Sequence, residues 1–581
     1  KVDVWIPTYN ESVDILRKTI YNAVNMDYPH KTYVLDDGNR KEVEKLAKEL
    51  GAEYIVRKEN KHGKAGNLNN ALKKTGGDFI ASFDADFIPQ KDFLIKLLGY
   101  FQNKKVALVQ SPQNYYNSNS FQHKKSFFLK KIWSEQDSFF NLVMEGRDNW
   151  NSAFWIGTNA IIRRKAIESI GGFPTDSVVE DMLTSILLHS KKWETVYVNK
   201  PLAFGIAPSS LKHFLTQRLR WSRGVSQILR KQNPIFKKGL RPIQKFFYLS
   251  SIAHFFEGTS KLIYYFLPAL YLLAGITPIK PHVSILFVIF SYVLFTFFSI
   301  FVISKGKVSF YNDEVYGMSR FFTYFLGNLE LFFNRKLKFA VTPKKDSKKL
   351  ELKFILGPAI VFITNMSAVV YTIILFYNIK SVSLNFLSFC VIFCIYFAFI
   401  SFQTLRLCFS YPFVNNSEIE NFLFVDIKNK RNKGIIKKMD DKFVRFFYPD
   451  KLRNEEKLII ENVGDFFVRI IECKNYSGEF YEYYAEFKIN KSKKYKLIDY
   501  VYREGIKKQD YWSEFFNKKI VKIKNSLTIA VRKGGFIFIK FDKKLDKGTN
   551  LKIYIPEEKT FRVLETIKEK GHLFLKGVLN D

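Results

Sequence analysis

The chain has little cysteine, no internal repeat and no low-complexity linker, and each absence excludes a class of protein. Only four cysteines occur among 581 residues, and two of them, Cys390 and Cys394, lie inside an apolar run. Their spacing fits neither a metal cluster nor a disulfide framework.

The sequence also lacks an opening methionine and a visible signal peptide. It begins at Lys1 and passes directly into Val2–Ile6, an apolar run that predicts a buried strand. We therefore expect a further N-terminal portion to precede Lys1.

Acidic residues are few relative to basic ones, since 55 Asp and Glu stand against 91 Lys and Arg and give a formal net charge of +36. Such an excess suits a nucleic-acid-binding protein, or one that lies on an anionic membrane and handles a nucleotide-linked substrate. A hydrophobic content of 47% with a mean hydropathy of only −0.11 fits soluble domains joined to a membrane portion. We therefore expect a lipid bilayer and no nucleic acid as partner.

At roughly 150 residues per domain, the length suggests three or four domains. Residues 1–235 alternate short apolar runs with amphipathic stretches, which predicts a mostly parallel α/β sheet. Examples of these apolar runs are Val2–Ile6, Tyr33–Leu35, Tyr54–Val56, Phe79–Phe83, Ala107–Gln110 and Thr195–Val198.

Residues 236–408 contain four segments of about 18 to 23 residues, near the roughly 20 that span a bilayer core. Residues 304–350 carry ten Lys or Arg, whereas the two short loops 276–281 and 378–383 carry one each. The positive-inside rule then places the long loop and both flanking domains in the cytoplasm. Met318–Arg335 is apolar but carries charges, which predicts an interface helix. The predicted spans are Leu262–Ile279, Val283–Ile303, Ile355–Tyr377 and Leu384–Phe402.

The remainder shows short alternating strands, which predict one β domain over 409–515 and a small β region over 516–581. The predicted strands are Asn421–Ile427, Phe443–Phe447, Phe466–Ile471, Phe480–Ile489, Ser526–Val531 and Gly535–Phe541.

Two acidic motifs follow predicted strands, at the edge where open α/β sheets bind ligands. Asp84 and Asp86 can hold a divalent cation that neutralises a diphosphate. Asp36 and Asp37 form either a simple turn or a pair that accepts hydrogen bonds from a nucleobase or ribose. Lys64, in a glycine-flanked loop, can meet phosphate or base carbonyl oxygens.

Asp181 precedes a helix-like segment and follows Glu180. A carboxylate at a helix N-terminus suits a general base that takes a proton from a sugar hydroxyl, although a plain helix cap gives the same pattern. Gln217, Arg220 and Trp221 share one helical face. An indole there can carry a pyranose ring and the Arg can bind a diphosphate, although a Trp beside an Arg also anchors helices at membrane interfaces.

Taken in order, these motifs resemble the processive family 2 glycosyltransferases, among them bacterial cellulose synthase catalytic subunits, from Val2 to about Phe402. Pro7–Glu11, Val109–Pro112 and Phe154–Asn159 extend the resemblance. Phe339–Lys344 is similar to the gating loop of cellulose synthases, at about 335–350, with Phe339, Val341, Thr342 and Lys344 as its candidate residues.

The resemblance implies a GT-A-like catalytic domain, transmembrane helices and a small C-terminal β-barrel. It implies transfer of glucose from UDP-glucose to a growing β-glucan that leaves through the protein's own channel, at the plasma membrane, with an accessory secretion subunit as a candidate partner. Asp181 would be the base, and Asp84 with Asp86 would hold Mg²⁺ (or Mn²⁺). Donor binding would fall to Asp36, Asp37, Lys64, Asp84, Gln217 and Arg220, and acceptor binding to Trp221, Glu180, Trp155 and Gly157.

The chain departs from the family pattern at several places. Phe87 replaces a His after Asp-x-Asp, Val179 replaces a Thr, and Trp155-Ile156 replace Phe-Cys near the acceptor. The last change leaves open a mixed (1,3;1,4)-β-glucan as product. A synthase for UDP-N-acetyl sugars and an inactive membrane scaffold are weaker alternatives, because the gating-loop form disfavours the first and the intact acidic motifs the second.

The C-terminal region resembles a degenerate PilZ domain in position and strand content only. Near Arg406 no second Arg stands at the spacing of an Arg-x-x-x-Arg pair, and Asn475–Gly478 lacks the correctly spaced Gly of the other motif. We therefore do not expect binding of cyclic di-GMP. The family has two spans before its catalytic domain, in line with a missing N-terminal portion.

Overall fold

A computed structural model describes residues 1–117, 120–126, 131–208, 210–276, 283–304, 308–333, 352–375, 384–410, 419–420, 423–430, 432–461, 463–476, 480–505, 518–523, 526–533, 536–540, 550–555, 557–569 and 572–580. The chain divides into two compact units. The first comprises Lys1–Tyr115, Asn119–Lys124 and Trp133–Val414. The second comprises Tyr116–Ser118, Lys125–Ile132 and Asn415–Asp581.

Twelve strands are described before the apolar helices. They are β1 Val2–Thr8, β2 Lys31–Asp36, β3 Glu53–Val56, β4 Phe79–Ser82, β5 Ile88–Pro89, β6 Val106–Gln110, β7 Asn114–Tyr115, β8 His123–Ser126, β9 Lys131–Ser134, β10 Ala160–Arg163, β11 Glu194–Tyr197 and β12 Ala203–Gly205.

The helices interleave with these strands and then dominate the chain up to residue 410. They are α1 Val13–Val24, α2 Lys41–Glu49, α3 Gly63–Lys74, α4 Phe93–Leu98, α5 Met144–Asp148, α6 Arg164–Ser169, α7 Glu180–Ser190, α8 Leu211–Lys231, α9 Pro242–Ala274, α10 Val283–Ser304, α11 Phe310–Asn328, α12 Leu356–Leu375 and α13 Leu384–Ser410. Short 3₁₀ turns cover Gly99–Gln102, Leu329–Leu331 and Leu352–Phe354, and a π-helical turn covers Phe139–Val143.

Seven strands form the main sheet of the first unit, in the order β11-β6-β10-β4-β1-β2-β3. All neighbours are parallel except β10, which runs antiparallel to β4 and to β6. Successive side chains of β1 lie on opposite faces of the sheet. Val4 and Ile6 belong to one buried hydrophobic cluster and Trp5 belongs to another. This alternation buries both faces of the sheet, as expected when helices cover each side. The predicted mostly parallel α/β sheet is confirmed.

Among the described residues, three helices are long and apolar enough to cross a membrane: Phe287–Ser304, Leu356–Ile374 and Phe386–Phe409. Most of α10 presents exposed apolar side chains, such as Phe287 at 73% and Phe295 at 72%. Such a surface requires a nonpolar surrounding. These helices indicate a membrane protein.

The segment predicted as the first span, Leu262–Ile279, does not form a separate helix. Its described part is the C-terminal portion of α9, whose N-terminal portion carries Glu257 and Lys261. These charges precede the apolar stretch directly, and α9 is not among the helices that meet the length and hydropathy of a span. The predicted interface helix corresponds to α11, whose residues Val315, Met318 and Phe321 are buried.

The described part of the second unit consists mainly of strands: β13 Ile419–Glu420, β14 Phe424–Ile427, β15 Lys433–Met439, β16 Phe443–Tyr448, β17 Glu455–Ile460, β18 Gly464–Tyr476, β19 Phe480–Lys488, β20 Lys518–Ile523, β21 Ser526–Lys533, β22 Phe536–Lys540, β23 Asn550–Ile555, β24 Glu557–Glu569 and β25 His572–Asn580. Helix α14, Lys491–Asp499, and a π-helical turn, Tyr500–Gly505, follow β19. Strands β14 to β19 close into a six-stranded antiparallel barrel, because β14 pairs with both β15 and β17. Strands β20 to β25 pair in a second ring that β21 and β22 close, and β15 meets β21 in a parallel pair.

Candidate active site

The carboxyl ends of the parallel strands and the amino end of antiparallel β10 meet at one edge of the main sheet. Thr8 pairs with Asp36, and Ala160 pairs with both Ser82 and Gln110. Residues that follow β2 and β4, and those that precede β10, are therefore brought together. The candidate active site is built at this edge.

Lys64 links two of the predicted motifs directly. It lies in the first turn of α3, which begins at Gly63 in the left-handed region with φ 50°. Its ammonium group donates a hydrogen bond to Asp84 Oδ1 and another, of 2.8 Å, to the carbonyl oxygen of Gly157. Lys64 thus joins α3, the end of β4 and the segment before β10.

Gly157 allows the main chain to pass close to the predicted base. Its φ is +87°, and a Cβ added there would lie 3.0 Å from Asp181 Oδ2 and 3.6 Å from Lys64 Nζ. Asp181 stands in the first turn of α7, where its Oδ1 accepts a hydrogen bond of 2.8 Å from the Met182 N–H. A side chain at position 157 would fill the space beside this carboxylate.

Burial and a neighbouring carboxyl group make Asp181 a weaker acid than an ordinary aspartate. Burial, together with the neighbouring Glu180 carboxyl, raises the pKa of Asp181 to about 7, against the opposing charges of Lys64 and Arg220. Burial also raises the pKa of Glu180, although Lys64 and Arg220 oppose it. Burial alone would lower the pKa of Lys64, but the carboxylates of Asp84, Glu180 and Asp181 raise it, so this lysine stays charged. A carboxylate poised near neutrality is suited to accept a proton.

Asp36 is fully engaged within the protein. Its carboxylate accepts hydrogen bonds from the N–H groups of Gly38 at 2.9 Å and Arg40 at 2.8 Å, and from the Tyr54 hydroxyl at 3.0 Å. The Arg40 side chain adds an ion pair at 3.0 Å. Asp36 is completely buried, so the structure gives it the role of ordering the turn after β2.

Asp37 forms a two-point ion pair with Arg57, which sequence reasoning missed. Arg57 Nε and Nη2 each lie 2.6 Å from an Asp37 carboxylate oxygen. The same guanidinium donates to the carbonyl oxygens of Lys61 at 2.6 Å and Gly63 at 2.9 Å. Through these contacts Arg57 connects the loop before α3 to the residue that follows β2. Its position directly after β3 was the only available signal, and the pairing with Asp37 is non-local.

Asp84 and Asp86 occupy different environments. The Asp84 side chain is 36% exposed, whereas Asp86 is 7% exposed. Phe87, which replaces the family's His, points into the core: its ring packs against Gly205, where a Cβ would lie 2.5 Å from Cζ. Among the residues that the structure describes, no group of three or more His, Cys, Asp or Glu side chains is arranged to hold a metal. Mg²⁺ is commonly bound by one or two carboxylates together with substrate phosphates and water.

Helix α8 carries the third motif. Its N-terminus is capped by Ser210, whose Oγ accepts from the His213 N–H at 3.3 Å. Trp221 is half-buried, and Gln217 accepts a hydrogen bond of 2.9 Å from Arg218 Nη1. The positive charge of Arg220 lowers the pKa of both Glu180 and Asp181, against the effect of burial.

Trp155, predicted to touch the acceptor, is completely buried. Its ring packs at 5.6 Å from Phe173, and Lys64 Nζ lies 6.0 Å from its centroid. The structure thus places it behind Lys64, where it supports the wall of the site. The candidate gating-loop residues Phe339, Val341, Thr342 and Lys344 lie outside the described residues.

The sheet order, with one antiparallel strand, and the acidic groups at its carboxyl edge are those of a GT-A-like fold. The glycosyl transferase family 2 model matches residues 3–171, and the cellulose synthase model matches residues 168–311. Residues 3–311 therefore belong to the family 2 glycosyltransferases of the cellulose synthase type.

Individual relatives agree with this assignment. The UDP-forming cellulose synthase catalytic subunit of Pseudomonas fluorescens (strain SBW25) is 40% identical over 278 residues, which are 47% of this chain and 38% of that protein. The UDP-forming cellulose synthase 1 catalytic subunit of Komagataeibacter xylinus is 40% identical over 275 residues, 47% of this chain and 37% of that protein. The matched region is thus less than two fifths of the length of either relative.

Among solved structures, mannosyltransferase PcManGT from Pyrobaculum calidifontis, in complex with GDP-Man and Mn²⁺, is similar over 56% of this chain and 86% of its own. The sequence identity is 18% and the TM-score 0.40.

Proposed function

We propose that this chain is a processive, inverting glycosyltransferase that transfers glucose from UDP-glucose to a growing β-1,4-glucan, cellulose. The observation that carries the proposal is Asp181, a half-buried carboxylate with a pKa near 7, held beside Gly157 and within the influence of Lys64, Arg220 and Glu180. This is the arrangement that proton removal from a sugar hydroxyl requires at neutral pH.

In the proposed reaction, a hydroxyl oxygen of the terminal acceptor sugar attacks the anomeric carbon of glucose. The bond from that carbon to the UDP oxygen breaks as the new glycosidic bond forms, so the configuration inverts. The hydroxyl proton passes to an oxygen of Asp181, and UDP leaves with the electron pair of the broken bond. Glu180, buried beside Asp181, raises its basicity.

The donor would be held by the basic side chains around this carboxylate. Lys64 would move from Asp84 to the phosphate or base oxygens, and Arg220 with Gln217 would bind the diphosphate. Asp37, rather than the fully engaged Asp36, would lie at the nucleobase, with Arg57 fixing its orientation.

The partly exposed carboxylate of Asp84 fits a divalent cation, Mg²⁺ or Mn²⁺, with Asp86 as the second carboxylate of the motif. Such a cation, when bound, neutralises charge on the leaving diphosphate. Lys64, whose ammonium group contacts Asp84 in this structure, would neutralise a further part of the charge on the diphosphate.

Trp221 would carry the terminal acceptor sugar on its indole, and the apolar helices would let the glucan cross the membrane.

From the charges of the loops, we propose that the chain is a multi-pass protein of the plasma membrane, with its catalytic and C-terminal domains in the cytoplasm. The gating loop would cover the donor site. An accessory secretion subunit would receive the product outside. The first C-terminal barrel, within 409–515, would be a degenerate PilZ domain that does not bind cyclic di-GMP, followed by a separate β region over 516–581.

A mixed (1,3;1,4)-β-glucan is the second candidate product, because Trp155-Ile156 replace the family residues near the acceptor. Trp155 itself is buried, so any effect on linkage would act through Ile156, which is half-buried, or through the position of Lys64.

The pH dependence of polymer synthesis tests the role of Asp181. Because its pKa is raised to about 7, the basic form is lost as the pH falls through 7. We expect kcat/KM for UDP-glucose to fall about tenfold per pH unit below 7 and to level off above it. Initial rates of labelled polymer formation between pH 5.5 and 8.5 measure this. A profile that stays flat down to pH 5.5 would place the base elsewhere, and absence of polymer from UDP-glucose would overturn the proposed function.

A further inference from the structure

A buried guanidinium group lies between two aromatic rings on α8. Arg218 has no exposed surface, and its Cζ is 4.5 Å from the ring centroid of Phe214 and 4.3 Å from that of Trp221. A cation on the face of an indole is attracted by the ring's quadrupole. Arg218 therefore rests on the indole that the proposed function gives to the acceptor sugar.

Glu135 holds Arg218 in this position. Its carboxylate pairs with Arg218 Nη2 through one oxygen and with Arg320 Nη1, at 2.6 Å, through the other. The Glu135 side chain is only 6% exposed. Burial favours the protonated acid, but the two guanidinium groups lower the pKa of Glu135 below its ordinary value, so it carries the charge that both need.

The ion pairs continue from Glu135 into the helices that lead to the membrane. Arg320 of α11 also lies 3.4 Å from Glu257 of α9, and Lys261 bridges Glu257 at 2.7 Å and Glu314 at 3.3 Å. Helix α8 is itself docked on α11, where the Ser222 hydroxyl donates to the Tyr324 carbonyl at 3.1 Å. Glu135 pairs with both α8, through Arg218, and α11, through Arg320.

A buried ion network is a poor source of stability, since desolvation offsets much of its attraction. What it supplies here is a fixed geometry: a planar guanidinium held against one face of Trp221. An unsupported indole on a half-buried helix face could rotate, and misplacement of a bound sugar by about 1 Å can slow transfer by about a hundredfold.

We propose that Glu135 is a positioning residue for the acceptor, which acts through Arg218 to fix the Trp221 platform and through Arg320 to keep it aligned with α11. This inference rests on the proposed function of Trp221. It predicts a defect in transfer to the glucan rather than in use of the donor, because the contacts of Glu135 are with Arg218 and Arg320 and not with the Lys64–Asp84 pair.

The test is Glu135→Gln in the full chain, with UDP release and polymer formation measured in the same reaction. The amide keeps the shape but cannot balance two buried guanidinium groups. We expect polymer yield and mean polymer length to fall by about tenfold to a hundredfold. UDP affinity and the slow release of free glucose from UDP-glucose should stay close to those of the unmodified protein.

Arg218→Lys serves as a second variant, because lysine can still pair with Glu135 but has no planar group to stack on the indole. It should lower polymer yield and mean length more than it lowers hydrolysis. Because Arg218 also donates a hydrogen bond of 2.9 Å to Gln217, which the proposed function gives to the diphosphate, UDP affinity is measured in the same variant and a small loss of affinity is expected. Glu145→Gln is the matched control, since Glu145 is exposed and accepts a hydrogen bond of 2.8 Å from Asn199, away from Glu135 and Arg218. It should change neither quantity.

A normal polymer length in both variants would overturn the inference, and so would a proportional loss of transfer, hydrolysis and UDP binding, which marks a merely structural role. If Glu135→Gln does not fold, Arg218→Lys decides alone by the same criteria. Failure of the proposed function is distinguishable, because the unmodified protein would then make no polymer at all.

Discussion

Replacing Asp181 by Asn is expected to lower polymer synthesis by about 10²- to 10⁴-fold, the range for loss of a general base. The amide keeps the size of the side chain and its place in the first turn of α7, but cannot take the acceptor's proton. Because Asp181 is not proposed to hold UDP, UDP affinity should stay nearly unchanged. Polymer formation from labelled UDP-glucose and UDP binding by calorimetry measure the two effects.

Asp176→Asn is the control for this substitution. Asp176 lies in the segment that leads into α7, is exposed, and accepts a hydrogen bond of 3.2 Å from Gln232. Its loss should leave polymer synthesis intact. Activity retained by Asp181→Asn at pH 7.5 would show that another group accepts the proton, and equal losses in both variants would point to a general effect on folding.

Gly157→Ala should slow transfer by about a hundredfold, the cost of a small misplacement at a reacting centre. A Cβ at this position would lie 3.0 Å from Asp181 Oδ2, and the φ of +87° is one that alanine rarely adopts. The added methyl group would therefore displace the Asp181 carboxylate and contact the Lys64 ammonium group. Rates of polymer formation and the thermal midpoint of unfolding separate the catalytic effect from the conformational one.

Gly171→Ala is matched to it, because Gly171 has a φ of +83° and no atom within 4 Å of an added Cβ. Gly171→Ala introduces a similar backbone strain, but its methyl group would contact neither Asp181 nor Lys64. Both variants should lose similar stability, and only Gly157→Ala should lose activity beyond that. Similar rates for the two would mean that the space beside Asp181 is not needed for catalysis.

The α/β sheet was predictable because its strands are short apolar runs bounded by turns and helices. The runs at Val2 and Phe79 appear as β1 and β4 with ends shifted by one or two residues. Strand β10 was not predicted, although it is the antiparallel member that completes the sheet order. Its four residues follow directly on a site motif, Phe154–Asn159, and local periodicity is weak over so short a run.

Contacts between residues far apart in the chain could not be predicted from the sequence. The pairing of Asp37 with Arg57 and that of Glu135 with Arg218 join residues 20 and 83 positions apart. Trp155 is a further example, since the resemblance implied that it binds the acceptor. The segment before β10 instead turns that ring into the core against Phe173. Local patterns therefore place motifs at the correct edge but do not say which side chains face the cleft.

The most direct test of the central claim is linkage analysis of the product made by the purified protein from labelled UDP-glucose and Mg²⁺. The proposed function predicts an insoluble polymer that cellulase degrades completely and lichenase leaves intact. Release of oligosaccharides by lichenase would show a mixed-linkage glucan. Failure to form polymer from UDP-glucose, or polymer formation only from a UDP-N-acetyl sugar, would contradict the account.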